Sequence, residues 1–382
     1  METHSQHFAR IGVACLHRGL LRACKSTADT LQSARVTAVT VRLSDIADRA
    51  GVSVSTVSRV LNDRPGINAK TRRQVLTAVD VLGYDRPTRL RPRVSGLVGL
   101  IVPELENPFF PRLATQVESA LHHHGYTPVL CTQSLGGIHE DDYVAVLLEH
   151  GVSGIIFVSG VHAMPSADPQ RYHRLVATGL PIVLVNGYLP DLPAAFLAND
   201  DRATSELGVT HLANMGHTRI GIALGQARYT PVVRKAEGFR EAMRRHVDPD
   251  LDDATLADLT SCTTFTVDGG AQAAEELLDR GVTGILCASD VMALGAIRAV
   301  RQRGLRVPED VSVVGSDDSS LNEFTDPPLT TVRQPSAAIA AEACRILLEL
   351  IDGASPPRNE LLFRPELVVR SSTARAPART TD

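Results

Sequence analysis

Val54, Ser55, Thr56 and Arg59 fall within six residues of one another, and on a helix Ser55, Thr56 and Arg59 share the outward face. A guanidinium so placed can give two parallel hydrogen bonds to guanine, and a hydroxyl can reach a base edge or a phosphate. A second cationic group, Lys70, Arg72 and Arg73, follows Asn68 at what reads as another helix start, where free backbone amides and cations suit phosphate oxygens. Farther on, polar residues stand directly after apolar runs: Asn186 after PIVLV, Ser289 and Asp290 after GILCA, Asp317 in VSVVGSDD. A carboxylate such as Asp317 can accept two hydroxyl hydrogen bonds from a polyol. Catalytic patterns are missing: there is no G-x-S-x-G elbow, no P-loop and no G-x-G-x-x-G after a strand. His122, His123 and His124 are consecutive, so on a helix they point about 100° apart and cannot chelate one ion from one face.

The first group needs a scaffold that presents it. The spacing predicts three short helices between 41 and 84. The first runs from about Ser44 to Ala50, with Ile46, Ala47 and Ala50 on one side and Gly51 ending it. Ser53 can cap a second, Val54 to Asn62, that turns Val57, Val60 and Leu61 inward; Asn68 can cap a third, Ala69 to Leu82, closed by Gly83. Two helices joined by a tight Gly turn, the second with a polar outer face, form a helix-turn-helix that lays its second helix in a major groove. A small helical core with a solvated charged face is the plainer alternative.

The second group needs strand ends. Apolar runs alternate with helical patterns from Leu97: LVGLIV, TPVLC, GIIFV and PIVLVN, then RIGIAL, a strand near Thr264, GILCA and VSVVG. The intervening helices are Phe110 to His124, His139 to His150, Gln170 to Gly179, Arg202 to Asn214, Arg234 to Arg245, Gly270 to Arg280 and Asp290 to Arg303. Ala337 to Ile351 and LLFRPELVVR follow. This rhythm describes βαβ units and two parallel, doubly wound sheets, hence a two-lobed α/β body whose cleft lies at the strand C-terminal edges.

Composition supports that division. Residues 41 to 96 hold 11 Lys plus Arg against 5 Asp plus Glu, whereas 97 to 382 hold 23 against 36, so a polyanion should meet the front segment. The six cysteines have no C-x-x-C pair, which suits reduced thiols in the cytoplasm. No run of 18 apolar residues occurs, so no membrane span is expected. Residues 1 to 40 read as a disordered tail, with translation effectively starting near Val36 or Val39 and without zinc spacing among His4, His7, Cys15, His17 and Cys24. DRPTRLRPRVSG, residues 85 to 96, reads as a basic linker.

LSDIADRAGVSVSTVSRVLN followed by INAKTRRQVLTAVDVLGY closely resembles the headpiece of the lactose-repressor (LacI/GalR) family of bacterial transcription regulators. VPELENPFF, VRKAEGF, NMGHTRIG, CASDVMALGA and PPLTTVRQP are similar to that family's effector-binding body, which resembles periplasmic sugar-binding proteins. The resemblance covers about residues 41 to 370. It implies a small all-α helix-turn-helix headpiece plus an α/β two-lobed body, a homodimer, a double-stranded operator, a small sugar-like effector, no cofactor and no metal. Val54, Ser55 and Arg59 would be base readers, with Leu90 a wedge in the minor groove. The usual Asn-containing hinge helix is absent, and Pro87 and Pro92 leave four residues between them.

By the same resemblance Asn107, Asn186, Arg234, Lys235, Ser289, Asp290 and Asp317 would face the effector, with Phe109, Phe110 and Phe265 as apolar walls. Arg is commoner than Lys at 235, and Asn commoner than Ser at 289. The implied lobes are about 97–197 with 336–363, and 198–332 with 364–372, leaving 373–382 as a flexible tail. The expected protein is a cytoplasmic effector-responsive repressor. A transport or chemotaxis binding protein, or an enzyme on a doubly wound fold, are the competing readings.

Overall fold

The computed structural model describes residues 41–61, 64, 66–84, 95–133 and 138–378. The chain forms two units that divide within the linker. In the first, helices α1 (Leu43–Ala50), α2 (Val54–Leu61) and α3 (Ala69–Leu82) follow the expected order. Arg42 N donates to Asp45 Oδ2 at 2.7 Å to open α1, and Gly51 ends that helix at φ 64°, a conformation that costs glycine nothing. Ser53 Oγ accepts from Thr56 N at 3.1 Å, and Asn68 Oδ1 from Thr71 N at 2.7 Å. Each oxygen satisfies an amide that the first turn leaves without a helical partner. Ile46, Ala47, Val57, Val60, Val75 and Ala78 fill the core. Such short helices are marginal alone, so this shared core is what holds α2 in place.

The second unit holds two six-stranded sheets built in the same order. The N-lobe contains β1 (Gly96–Val102), α4 (Phe109–His123), β2 (Tyr126–Thr132), α5 (Glu140–Glu149), β3 (Gly154–Val158), α6 (Gln170–Ala177), β4 (Ile182–Val185) and β5 (Ala195–Asn199). The chain then passes into the C-lobe: α7 (Asp201–Asn214), β6 (Ile220–Leu224), α8 (Thr230–His246), α9 (Asp253–Asp258), β7 (Thr260–Cys262), α10 (Val267–Asp279), β8 (Gly284–Cys287), α11 (Asp290–Gln302), β9 (Ser312–Ser316) and β10 (Thr330–Arg333). It returns through α12 (Ser336–Ile351) and β11 (Leu361–Phe363) to the N-lobe sheet, and crosses finally to β12 (Glu366–Val368) in the C-lobe sheet.

All strand pairs are parallel except β12 against β10. Alternation along the N-lobe strands sends Leu100, Val102, Ile156, Val158, Val183 and Val185 to the face covered by α4 and α12. It sends Ile101, Ile155, Phe157, Ile182 and Leu184 to the opposite face, beneath α5 and α6. A strand buried on both faces reads as an unbroken apolar run, which is why these segments stand out in the sequence.

Several expectations shift. The strand placed near Thr264 is Thr260–Cys262, because Thr266 Oγ1 accepts from Gly269 N at 2.9 Å and starts α10 three residues before Gly270. Helix α8 begins at Thr230 with Pro231 in its first turn, four residues before Arg234. Strand β5 and the short α9 had no counterpart in the reading. The segment from 373 is packed rather than loose as far as Ala376: Thr373 is buried, Ala374 N donates to Ser312 Oγ at 3.0 Å, and Ala376 N donates to Met215 O at 2.9 Å. Residues 1–40, most of the linker with Leu90, and 379–382 lie outside the described residues.

Candidate nucleic-acid interface and effector cleft

Helix α2 turns its two faces to different tasks. Val57 and Val60 are buried, whereas Ser55 and Arg59 are exposed and Val54 leaves 46% of its surface open. A valine so bare at a helix start contributes nothing to the core and is available for contact. Ser53 Oγ lies 2.8 Å from Ser55 Oγ and 2.9 Å from Thr56 Oγ1, gathering three hydroxyls at the helix N-terminus. Thr56 is half-buried within that group. The Arg59 guanidinium passes 3.2 Å from where a Cβ on Gly66 would lie, and Gly66 sits at φ 90°. A side chain there would be strained and would crowd the arginine, a role for Gly66 that the sequence reading missed. On α3, Lys70 and Arg73 are exposed and Arg72 is half-buried. Asn68 uses its carboxamide oxygen as the cap of that helix, so its first role is structural.

In the body, Asp317 and Asp318 follow β9 at the C-terminal edge of the C-lobe sheet, at φ 120° and 57°. Asp317 Oδ2 accepts from Asn107 Nδ2 of the N-lobe at 3.3 Å, and Oδ1 from Gln334 Nε2 at 2.6 Å. Asp318 accepts from Arg370 at 2.7 Å and Arg333 at 2.8 Å, while its carbonyl accepts from Arg112 of α4 at 2.8 Å. A cavity of about 260 Å³ opens here, lined by Pro108, Phe109 and Arg112 from the N-lobe and by Asp317, Asp318, Ser319 and Ser320 from the C-lobe. Both lobes therefore contribute to one wall. A more open groove of about 480 Å³ along α11, lined by Leu294, Ile297 and Arg301 among others, lies away from these carboxylates.

The electrostatics separate three neighbouring acids. Burial, and then the proximity of Asp290, push the Asp317 carboxyl well above its ordinary range. Burial also pushes Asp290 up to about 6, against three hydrogen bonds: from Ser319 N at 2.7 Å, Asn322 Nδ2 at 2.8 Å and Thr331 Oγ1 at 2.6 Å. For Asp318 burial works against the charge, but Arg370 and Arg333 outweigh it and hold the group below the usual carboxylate value. Desolvation thus dominates where the partners are neutral, and ion pairing where they are arginines.

The other residues inferred to face the effector divide. Asn186, at φ 69°, follows β4 and donates from Nδ2 to Ser159 Oγ at 2.9 Å. Phe109 and Phe110 meet edge to face with centroids 5.3 Å apart; Phe109 is buried in the N-lobe core and also reaches the cavity. Phe265 packs over Gly225, where any Cβ would collide with its ring. Lys235 is buried and ion-paired with Asp201. Arg234 gives two hydrogen bonds of 2.8 Å to Glu360, just before β11, and so ties α8 to the N-lobe. Ser289 accepts from Met292 N at 3.3 Å as the cap of α11, and Asp290 clamps the Ser319 turn. These last two support the edge from behind.

Arg112, Asp318, Ser319 and Ser320 were not anticipated. Arg112 lies three residues after Phe109, on the same side of a helix, and the others continue directly from Asp317, so both signals were present.

Two family descriptions match the chain: "Bacterial regulatory proteins, lacI family" over residues 42–87, and "Periplasmic binding protein-like domain" over 209–373. The HTH-type transcriptional regulator MalR of Streptomyces coelicolor is 56% identical over 339 residues, covering 89% of this chain and 98% of its own. Among solved structures, a transcriptional regulator CelR–cellobiose complex is 32% identical with a TM-score of 0.65, covering 87% of this chain and 99% of the other. A lac repressor dimer bound to operator and the anti-inducer ONPF is 28% identical with a TM-score of 0.61, over the same shares.

Proposed function

The chain belongs to the lacI family of bacterial transcription regulators, DNA-binding proteins rather than enzymes, and from that premise we propose that it is a repressor whose grip on an operator is set by a small sugar-like effector. The observation that carries the effector half is Asp317. It is a buried carboxylate at a strand end, reached by Asn107 from the opposite lobe, on the wall of a cavity that both lobes line. Sugar hydroxyls satisfy such an acceptor as the two amides do, and the CelR relative was solved with cellobiose. Asn186, Phe110, Phe265, Lys235 and Arg234 complete the surroundings, with Ser289 and Asp290 holding the edge in shape.

At the DNA end Val54, Ser55, Thr56 and Arg59 read bases, while Lys70, Arg72, Arg73 and the start of α3, capped by Asn68, meet phosphates. Leu90 in the linker is the minor-groove wedge. The protein works in the cytoplasm as a homodimer, like the lac repressor bound to its operator, so two headpieces address a pseudo-palindrome. An effector alters DNA affinity only through its different affinity for the two states of the body. Gel shifts on operator duplex with and without sugars test the whole. A sugar that releases the duplex identifies an inducer and one that tightens it a corepressor, while indifference to every sugar removes the sensor from the proposal.

A further inference from the structure

Helix α8 opens with two adjacent cations that serve different lobes. Lys235 is buried and pairs with Asp201, the first residue of α7, where the chain has just left β5 for the C-lobe. Arg234 reaches across and gives two parallel hydrogen bonds of 2.8 Å to the two oxygens of Glu360, which directly precedes β11, an edge strand of the N-lobe sheet. Both partners are largely withdrawn from water, with side-chain exposures of 21% and 12%. At the cavity the lobes meet through single bonds, from Asn107 to Asp317 and from Arg112 to the Asp318 carbonyl. The start of α8 is also poorly placed to follow a moving partner. Lys235 O accepts from Ser205 Oγ of α7 at 2.8 Å, and a Cβ on Gly238 would come within 2.5 Å of the Arg202 carbonyl oxygen. Backbone packed this closely on backbone transmits strain instead of yielding to it, so a swing of the lobes falls on the fork between Arg234 and Glu360.

We propose, resting on the reading of this chain as a regulator whose body takes two states, that Arg234 and Glu360 form a latch between the lobes. It is closed in the present arrangement, opens when the lobes swing, and so sets how strongly the protein holds its operator before any effector is bound. Two parallel N–H···O bonds demand one plane and one separation, so the pair survives in one arrangement of the lobes and not in both. An interaction present in only one of two states shifts their balance by its own worth, as a ligand does, and couplings of this kind change affinity about five- to 150-fold. The task of Arg234 is then to position the lobes, one residue away from Lys235.

The test is fluorescence anisotropy with the full-length protein, without sugar, on the duplex that wild type enriches from a random pool. Glu360→Gln removes the charge and one acceptor, whereas Arg234→Lys keeps the positive charge but loses the fork. The expected result is that Glu360→Gln changes operator affinity about ten- to hundredfold with an unaltered salt slope, since no phosphate contact is touched. Arg234→Lys should move affinity in the same direction, and the double variant no further than the larger single, because the two residues act as one unit. A merely structural pair would lower the melting temperature and leave the affinity of the folded protein alone. Folded Glu360→Gln with an affinity within about threefold of wild type, or single effects that simply add, overturns the latch. Should Glu360→Gln not fold, Arg234→Lys is held to the same limit. No sugar enters this measurement, so indifference of wild type to every sugar would remove the sensor while these variants still decide the latch.

Discussion

Asp317 is held from two sides, by Asn107 across the cleft and by Gln334, which directly follows β10 where the chain leaves the C-lobe. Asp317→Asn keeps the shape but replaces one acceptor oxygen by an amide donor, so a sugar hydroxyl that donates there loses its partner. Since an unsatisfied buried polar group costs about 1–3 kcal/mol, sugar affinity should fall about ten- to hundredfold by calorimetry. The same variant has a pH signature. A carboxyl raised on folding favours the folded state fully below its unfolded value near about 4, and that contribution is lost as pH rises through the folded value. Asp317→Asn lacks this loss, so its melting temperature relative to wild type should climb between about pH 4 and pH 7. A gap that stayed constant or narrowed would contradict the raised carboxyl.

At this scale the sequence spoke unevenly. Asn186 and Asp317 stood out as strand-end candidates because Asn186 follows the apolar run PIVLV directly and Asp317 ends the run VSVVGS. Ser289 and Asp290 were legible as strand-end residues; the clamp made by Asp290 was not, because its partners Asn322 and Thr331 lie more than thirty residues away, whereas the Ser289 cap, with Met292 three residues on, is a local signal that went unread. Lys235 could not be seen to be neutralised, since Asp201 lies thirty-four residues before it.

The helices of the first unit make separable predictions. Asn68→Ala removes the cap of α3 and should lower headpiece stability by about 1 kcal/mol in thermal or urea melts. Arg59→Ala should cost about 1–3 kcal/mol at the cognate operator and relax preference at one base pair. Arg72→Ala should weaken all duplexes alike and lessen the dependence of affinity on salt; an unchanged operator ranking for Arg59→Ala would remove it from the base readers. These helices were readable because cap, apolar spacing and terminal glycine coincide within each of them. The body's strands were readable where both faces are buried. Strand β5, AFLAN, escaped because its alanines dilute the apolar signal, and β7 was misplaced because TSC is short and polar at an edge of its sheet.

Across the body as a whole, the lobes are joined three times, after β5, after β10 and between β11 and β12. The last join is only Arg364 and Pro365, with β11 in one sheet and β12 in the other. Two residues reach about 10 Å from strand end to strand end at full stretch, and proline fixes one of the backbone angles. At that corner the lobes are tethered like covers at a spine: they can swing but not drift apart, and the rim far from the tether travels most. Inserting two glycines between Arg364 and Pro365 should leave sugar binding within a few fold while abolishing its effect on operator affinity in gel shifts. Signalling through this molecule would then depend less on how strongly the lobes attract than on how little slack their shortest connection allows.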